Sequence, residues 1–409
     1  MTKPFRRLRD VAFLDVGSTK ICCCIARAKE GVIEVLGLGH YASAGVRAGQ
    51  IVDIEATQHA VLRALEAAEE EAGRTVRALF VAISGVALKT AVVNSKTFVD
   101  GRVVTDADII RCLAENNPFE EHAHLEILHT IPLTYTVDGV EGIEDPRGMI
   151  GQELSTTAHI IAAPQPVLNA FRVVVSRCHL DFAGFVAAPY ASGLALLDDE
   201  DLHLGVTVLD LGGQTSSFAL FKGGVLAGLG AIPIGGHHVT KDLAYGLSTS
   251  LINAERAKTL YGSCLPSSVD ERDLVLIPGA EDPHAISLRQ VQKSLLVRII
   301  RPRIEEILMQ LGSQLDKTPA IFRRCLFLTG GGSQLPGIRD LTSTLLDKHV
   351  TTEKFQRILY NGDLAPGFST VLGLVRYFVE NRQDRLYERN LTDSQTGLKE
   401  MWSWIKKNL

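Results

Sequence analysis

The sequence predicts an α/β fold of two lobes. The chain has 409 residues, more than one ordinary domain holds, so two lobes are the default expectation. Residues 11–17 (VAFLDVG) and 206–213 (VTVLDLGG) are near copies: an aliphatic run, then aspartate, then glycine. A third apolar run, 325–332, ends in TGGG. Each run is typical of a buried strand that leads into a tight turn, so one structural element recurs along the chain.

The first lobe is predicted to have its core in residues 11–84. Its start alternates strand, turn and strand, and 31–39 (GVIEVLGLG) adds a third strand to an antiparallel meander. Residues 54–72 are rich in Ala, Leu and Glu with apolar side chains at helical spacing, which predicts a helix. Residues 78–84 (ALFVAIS) then predict a buried strand.

A change of pattern predicts an inserted subdomain over residues 85–158. Short strands surround one helix that begins near Thr105, where a threonine N-cap precedes an acidic first turn. A Pro/Gly-rich stretch occupies 138–151. The chain is then expected to return to the first lobe over 159–204, with strands at 159–164 and 182–187 and a helix around 167–178.

The second lobe is predicted as a core of residues 205–247, an outer subdomain of 248–315 and a returning core of 316–362. The outer subdomain is mainly helical over 253–311, interrupted by a polar loop at 263–271 and a short strand at 274–277. Residues 363–380 are expected to form a connecting helix of the first lobe. This helix and 189–197 carry small residues that permit a close crossing, which fits either a hinge or a well-packed core.

The glycine turns predict a phosphate-binding site. Glycine permits positive φ, so backbone N–H groups can crowd round phosphate oxygens, and a carboxylate can face Mg²⁺ through water. No GxxxxGK[ST] motif occurs, and the first turn joins two strands. One such turn alone most often only reverses the chain, but three together favour a nucleotide. The predicted phosphate ligands are Asp15, Gly17, Ser18, Thr19 and Lys20, then Asp210, Gly212, Gly213, Gln214 and Thr215, with Mg²⁺ near Asp15 and Asp210.

Composition excludes several classes of protein. Apolar residues make up 46% of the chain and charged residues 22%, and the net charge is −5, so the chain is globular and nucleic-acid binding is not expected. The seven cysteines lack zinc-site spacing; Cys22, Cys23 and Cys24 are expected to be small apolar residues of a strand in a reducing cytoplasm. Residues 1–10 are expected to be disordered, and no segment has the length of a signal-peptide core or a membrane span.

The carboxy-terminal segment predicts a membrane contact. Residues 381–396 are polar and aperiodic, typical of a flexible linker. Residues 397–409 (GLKEMWSWIKKNL) form an amphipathic helix pattern that contains both tryptophans of the chain. A terminal helix docked on its own protein is the alternative, but the linker argues against it. The predicted lipid-contacting residues are Leu398, Lys399, Met401, Trp402, Trp404, Ile405, Lys406, Lys407 and Leu409.

In this order, the loops, connecting helices, insertion and tail resemble the actin, sugar-kinase and DnaK-type ATPase superfamily, and within it the FtsA family of bacterial division proteins. The resemblance covers most of the chain and implies an actin-like fold with ATP between the lobes. It places Gly330, Gly331 and Gly332 beside the adenosine. It also places Glu255 and Lys258 at the ribose and base, although a Glu and a Lys three residues apart are also an ordinary surface pair.

The resemblance further implies an actin-like polymerising adaptor of cell division. Such a protein tethers the FtsZ ring, through the FtsZ C-terminal peptide, to anionic lipid on the cytoplasmic face of the inner membrane at the septum, and it recruits other divisome proteins. Two rivals remain: a metabolic small-molecule kinase of the same superfamily, and an actin-like adaptor of pilus assembly.

One departure from the superfamily pattern concerns catalysis. Several members that hydrolyse ATP have a glutamate before the proline that starts the first connecting helix, whereas here Ala188 precedes Pro189. Gln214 replaces a more usual glycine, and either contacts a γ-phosphate or only tolerates the turn. Because efficient phosphoryl transfer requires a group that positions the attacking water, we expect ATP binding with weak or no hydrolysis, and no catalytic residue is assigned.

Overall fold

The computed structural model describes residues 11–380 except 30–31, 123, 268–270, 280–287, 324, 353–354 and 356–357. The amino terminus 1–10, the predicted linker 381–396 and the predicted membrane helix 397–409 lie outside the described residues. All predicted lipid-contacting residues are among them. Within the described part, no helix is both long and apolar enough to cross a bilayer.

The first lobe begins with the predicted antiparallel meander. Strand β1 pairs antiparallel with β2 and parallel with β6, and β2 pairs antiparallel with β3. A short hairpin, β4–β5, then precedes the long helix α1, which Asp53 caps at its start. The elements are β1 (Val11–Val16), β2 (Lys20–Lys29), β3 (Val32–Ala42), β4 (Val46–Arg47), β5 (Gln50–Ile51), α1 (Ile54–Ala72) and β6 (Ala78–Ile83).

The insertion is a four-stranded antiparallel sheet with one helix and its own small core. It consists of β7 (Lys89–Phe98), α2 (Asp106–Ala114), β8 (Leu125–Val137), β9 (Val140–Ile143) and β10 (Glu153–Pro164), in the order β7-β10-β8-β9. Thr105 and Asp108 form the capping box of α2. Strand β10 stays paired with β8 as far as Pro164, so 159–164, expected in the first lobe, continue the inserted sheet. Two irregularities in the register let the strand bend without leaving it.

The chain then completes the first lobe with α3 (Gln165–Arg177), β11 (Asp181–Ala187), α4 (Ala188–Leu196) and α5 (Asp199–Leu204). The second lobe opens with β12 (Val206–Leu211), β13 (Ser216–Lys222), β14 (Val225–Ile232) and α6 (Gly236–Gly246). Its start repeats the first lobe: β12 pairs antiparallel with β13 and parallel with a later strand, as β1 does with β2 and β6.

The outer part of the second lobe consists of α7 (Leu251–Tyr261), β15 (Leu274–Pro278), β16 (Leu288–Gln292) and α8 (Lys293–Leu315). The chain returns through β17 (Cys325–Thr329), α9 (Ile338–Leu346), β18 (His349–Thr351), β19 (Ile358–Leu359) and α10 (Ser369–Val379). The second sheet has the order β14-β13-β12-β17-β18. The first has the order β11-β6-β1-β2-β3-β19, so the chain rejoins the first lobe at β19, before the predicted boundary at 362.

Helices α4 and α10 cross in close contact, as their small residues predict. A Cβ on Gly373 would lie 1.7 Å from the carbonyl oxygen of Ala191, so only glycine fits at the crossing. Nearby, the buried Arg376 donates hydrogen bonds to the carbonyls of Leu194 and Leu197 at the end of α4. A guanidinium at a helix C-terminus satisfies carbonyls that have no helical partner and complements the helix dipole. The two helices are therefore held together where the lobes meet.

Cys22, Cys23 and Cys24 are fully buried in β2. Burial raises the pKa of the Cys22 thiol to about 12, so these thiols stay protonated and unreactive. They act as small core residues, in agreement with the sequence analysis.

Candidate functional site: a cleft between two aspartate-glycine turns

The first predicted phosphate loop is the turn between β1 and β2. A Cβ on Gly17 would lie 2.7 Å from the carbonyl oxygen of Lys20, so a side chain at this position would collide with the backbone. The Lys20 ammonium lies over the ring of Phe368, 3.7 Å from its centroid. The aspartate before this turn, Asp15, is the second-last residue of β1.

The second loop, between β12 and β13, repeats this geometry. A Cβ on Gly212 would lie 2.7 Å from the carbonyl oxygen of Thr215, and that same oxygen accepts a 3.0 Å hydrogen bond from the Gly212 N–H. Asp210 occupies the same position in β12 as Asp15 in β1. The two near-copies found in the sequence are therefore the same structural element, used once in each lobe.

The two loops face each other at close range. A Cβ on Gly213 would lie 2.4 Å from Cγ2 of Thr19. Behind the second loop, Gly236 and His237 at the start of α6 donate backbone hydrogen bonds to the carbonyls of Gly212 and Gly213. The predicted residues of both loops thus meet at one cleft, with glycine where the backbones approach.

Two enclosed carboxylates, Asp15 and Asp210, lie close enough to interact at the ends of the strands that lead into these loops. Burial, and then the neighbouring Asp210, raise the pKa of Asp15 to about 7, against a smaller opposing effect of Lys20. Burial also raises the pKa of Asp210, while hydrogen bonds from Ser192 and Thr370 oppose the shift. Two enclosed carboxylates, one of which disfavours the ionisation of the other, suit a divalent cation, and hard oxygen ligands are those that Mg²⁺ prefers. The donor set fits the predicted ion.

The predicted adenosine glycines occupy the loop after β17. Gly330 has φ +82°, and a Cβ there would lie 2.3 Å from Oδ1 of Asp210. A Cβ on Gly332 would lie 2.9 Å from Cβ and from the carbonyl oxygen of Leu211, whereas a Cβ on Gly331 would meet nothing within 4 Å. Two of the three glycines therefore support the second phosphate loop, and Gly331 faces open space.

The predicted Glu255 and Lys258 of α7 lie beside the same loop. The Lys258 ammonium donates to the Gly236 carbonyl at 3.1 Å, to Thr240 Oγ1 at 2.8 Å and to Glu255 Oε2 at 2.7 Å. Thr240 also donates to Glu255. The Lys258 side chain is only 16% exposed. These contacts tie the pair to the start of α6, so it is more than an isolated surface pair.

The structure adds residues that the sequence analysis missed. Ser192 on α4 donates a 2.6 Å hydrogen bond to Oδ2 of Asp210, and Thr370 on α10 lies 2.9 Å from the Ser192 hydroxyl. Both hydroxyls come from the crossing helices, so only the tertiary fold brings them to the cleft. The β4–β5 hairpin and Phe368 also border it, and a two-residue turn ending in glycine at 48–49 was the only local signal for the hairpin.

At the start of α4 the structure has alanine where several ATP-hydrolysing members of the superfamily have glutamate. Ala188 is the first residue of the helix and its methyl group provides no polar atom. Gln214 lies between the facing loops, where its side-chain carbonyl accepts a 2.9 Å hydrogen bond from the N–H of Ala48.

These features define a protein of the actin-like class: two related lobes, an aspartate-glycine hairpin in each, and crossing helices between them. Among solved structures, MreB 5 of Spiroplasma citri bound to AMPPNP matches with a TM-score of 0.56 and 12% identity over 94% of this chain and 98% of that one. A PilM-PilN type IV pilus biogenesis complex gives a TM-score of 0.62 and 17% identity, over 91% of this chain and 100% of that one.

Sequence similarity identifies the family. Residues 207–373 match the family "Cell division protein FtsA", and residues 85–162 match "SHS2 domain inserted in FTSA". The cell division protein FtsA of Rhizobium meliloti (strain 1021) is 37% identical over 390 residues, which cover 91% of this chain and 88% of that protein. The chain belongs to the FtsA family of cell division proteins. The fold and family predicted from the sequence are confirmed.

Proposed function

We propose that this chain binds Mg-ATP between its lobes and acts as an actin-like adaptor that attaches the division machinery to the membrane. The observation that carries the proposal is the meeting of two matched aspartate-glycine turns, with a Cβ on Gly213 only 2.4 Å from Thr19. Such turns direct N–H groups at phosphate oxygens, and the paired carboxylates provide for the ion. The proposed ligands are the predicted residues of the two loops, with Glu255, Lys258 and Gly331 toward the nucleoside.

Calorimetry on the full-length chain tests nucleotide binding. The wild-type protein is expected to bind ATP in the presence of Mg²⁺. Asp210→Ala is expected to weaken binding more than tenfold, because a carboxylate that supports the ion and the loop is lost. Glu141→Ala, which removes an exposed carboxylate from the inserted subdomain, is the matched control and should bind as the wild type does. If correctly folded wild-type protein takes up no adenine nucleotide, the proposal fails.

ATP hydrolysis by this chain is expected to be slow. At the start of α4 the chain has a methyl group where an attacking water would need a carboxylate or amide. When bound, Mg²⁺ would neutralise phosphate charge, while this chain's own residues orient the phosphates and exclude water. The rate of phosphate release from ATP is expected to be low, and the addition of small hydroxylated metabolites should not raise this rate. Rapid transfer to such a metabolite would favour the kinase alternative.

The membrane contact rests on the sequence of residues 397–409. Immersing five apolar side chains contributes on the order of 7–12 kcal/mol, and ordering the helix costs a comparable amount, so one tail binds reversibly. Lining up many tails along a filament multiplies the attachment. Trp402→Glu is expected to abolish flotation with anionic liposomes while leaving ATP binding unchanged. Ser403→Glu makes the same charge change on the polar face and should still float.

The partner peptide is proposed to dock on the outer part of the second lobe, residues 248–315. Supporting this, Leu274 and Leu276 of β15 and Leu288 of β16 are each more than half exposed, an apolar surface of the kind that marks interaction sites. Leu276→Glu is expected to reduce binding of an FtsZ C-terminal peptide in fluorescence anisotropy. Leu359→Glu, an equally exposed leucine on the first lobe, should not. Equal binding by both variants would contradict this location.

The pilus-assembly alternative has one observation in its favour, the PilM-PilN likeness in fold. At 17% identity that likeness concerns the fold alone, whereas FtsA similarity extends over most of the chain. We therefore place this chain in cell division, with self-association and recruitment of further division proteins as parts of the same proposal.

A further inference from the structure

The short β4–β5 hairpin presents two backbone donors at the cleft. Its turn residues, Ala48 and Gly49, have φ of +47° and +77°, as in the two-residue turns typical of tight hairpins. The N–H groups of both turn residues are directed away from the hairpin toward side chains of the phosphate loops. Enclosed backbone donors need acceptors, so what accepts these bonds determines how the hairpin is held.

The acceptors come one from each phosphate loop. The N–H of Ala48 donates to Oε1 of Gln214 at 2.9 Å, and the N–H of Gly49 donates to Oγ of Ser18 at a longer 3.4 Å. The hairpin and Ser18 belong to the first lobe and Gln214 to the second. The shorter of the two bonds therefore crosses the cleft between the lobes.

This bond also settles which way the Gln214 amide faces. Its carbonyl oxygen is taken by Ala48, so its NH₂ group points elsewhere and has two protons to donate. Among the residues that the structure describes, none accepts a hydrogen bond from this NH₂ group. Gln214 stands between Gly213 and Thr215, so an anion bound to the second loop would be its nearest acceptor.

We propose that Gln214 is a positioning residue that couples the terminal phosphate of ATP to the β4–β5 hairpin. Its NH₂ group donates to that phosphate while its carbonyl holds the N–H of Ala48. The inference rests on the proposed nucleotide binding and adds a discrimination to it. With ATP bound, both ends of the Gln214 amide have a partner, the terminal phosphate and the N–H of Ala48; with ADP, which lacks the terminal phosphate, only the Ala48 end has one.

The position of the hairpin links the difference between bound ATP and bound ADP to the inserted subdomain. A Cβ on Gly49 would lie 2.1 Å from Cβ of Ser84, so the turn packs directly on the residue before the 3-10 turn Gly85–Ala87. That turn leads into β7 of the inserted subdomain. A change in how tightly the hairpin is held therefore acts on the first connection to the insertion.

Two substitutions separate the two ends of the amide. Gln214→Glu keeps an oxygen acceptor for Ala48 but loses the NH₂ donors and adds a negative charge. Gln214→Leu keeps the approximate shape and loses both ends. In calorimetry on the full-length protein with Mg²⁺, each variant is expected to bind AMPPNP roughly ten- to hundredfold more weakly, the range for a lost hydrogen bond to a charged group. Affinity for ADP should change less than about threefold.

Hydrogen exchange supplies a readout that a purely structural role would not move. In the wild type, AMPPNP is expected to slow exchange in peptides that cover 44–53 more than ADP does. Gln214→Glu should retain the slow exchange seen without nucleotide but lose the difference between nucleotides. Gln214→Leu should lose both. Gln310→Leu, an exposed glutamine on α8, is the matched control and should resemble the wild type.

Failure of the proposed nucleotide binding and failure of the proposed role of Gln214 give different results. If the wild type binds neither nucleotide, the proposed function fails and this inference with it. If both nucleotides bind but the ratio of AMPPNP to ADP affinity in the two Gln214 variants stays within about twofold of wild type, this inference alone is overturned. Should Gln214→Leu unfold, which circular dichroism would reveal, hydrogen exchange over 44–53 in Gln214→Glu decides the question: a difference between AMPPNP and ADP as large as in the wild type would overturn the inference.

Discussion

The two aspartate-glycine turns share a backbone but differ in what surrounds their carboxylates. In both, a Cβ on the first glycine would lie 2.7 Å from a carbonyl oxygen of the same turn. Asp210 receives hydrogen bonds from Ser192 and Thr370, whereas among the described residues no side chain donates a hydrogen bond to Asp15. The Asp210 carboxylate is thus held by hydroxyls of the crossing helices, whereas only the charge of Lys20 opposes the raised pKa of the Asp15 carboxylate.

This difference indicates a division of labour between the lobes. Asp210 and its loop are rigidly supported from behind by α4, α10 and Gly330. Asp15 has only the Lys20 charge to oppose its pKa shift, and that lysine rests on Phe368. We infer that the second lobe offers a preformed half of the site, while the first lobe's half takes its final arrangement only with a cation and phosphates present.

The largest effect is expected from Gly330→Ala, which disrupts the packing of the Gly330 loop on the second turn. The residue has φ +82° and ψ +167°, a region costly for any side chain by about 1–3 kcal/mol, and its Cβ would overlap Asp210. Nucleotide binding should be lost and the unfolding temperature should fall, measured by calorimetry and differential scanning fluorimetry. Gly331→Ala, with open space around its Cβ, should leave the unfolding temperature unchanged; an equal fall in both variants would refute the support role of Gly330.

The carboxylates themselves are compared by Asp15→Asn and Asp210→Asn. Without nucleotide, Asp15→Asn should stabilise the protein, because it removes a buried charge that receives no hydrogen bond from a side chain. Asp210→Asn should stabilise the protein by on the order of 1 kcal/mol less than Asp15→Asn does, because two hydroxyls lose a charged acceptor. Thermal unfolding measures the difference. Both variants should bind Mg-ATP more weakly, and the same gain in stability from each would remove the contrast between the turns.

A smaller effect is expected from Ser192→Ala. It removes the 2.6 Å hydrogen bond to Asp210, and bonds to charged groups contribute about 1.5–3 kcal/mol. Stability should fall and Mg-ATP affinity should drop by up to about tenfold, measured by the same two methods. Ser176→Ala replaces an exposed serine on helix α3 and serves as the control. Unchanged affinity in Ser192→Ala would mean that the second turn does not need its hydroxyl support.

The smallest effect concerns Phe368→Leu on the first turn. The substitution removes the ring under the Lys20 ammonium, a cation–π contact of about 0.5–1 kcal/mol at an accessible site. Because Lys20 no longer has to leave the ring to reach a phosphate, ATP affinity should rise two- to fivefold in calorimetry. Phe98→Leu, at an exposed phenylalanine of the inserted subdomain, is the control. A loss of affinity would show that Phe368 positions Lys20 for the ligand instead.

Much of this fold could be predicted because its signals are local. The meander of β1–β3, helix α1, the capped helix α2 and the strand-loop-helix around TGGG each follow from apolar spacing, a cap or a glycine turn. Boundaries were harder to predict: β10 continues past 158 into the inserted sheet, and β19 rejoins the first sheet before 362. Strand partners depend on which neighbour is available, and a single sequence does not encode that locally.

The candidate site divides in the same way. The sequence alone identifies Asp15, Asp210 and the turn glycines, because a tight turn after a buried strand needs these residue types at adjacent positions. Ser192, Thr370, Phe368 and the hairpin amides of 48–49 do not, since nothing beside them in the chain marks a ligand site. They reach the cleft only when α4 crosses α10 and the lobes face each other.

By itself, therefore, the sequence determined the repeated aspartate-glycine element, the two-lobed class and the family. Only the tertiary structure decided what holds each aspartate, and that Gln214 spans the cleft to Ala48. The physical reason is the range over which each effect acts. Turn and strand preferences act over a few neighbouring residues. The hydrogen bonds that build the site join segments more than a hundred residues apart, such as Ser192 with Thr370 and Ala48 with Gln214.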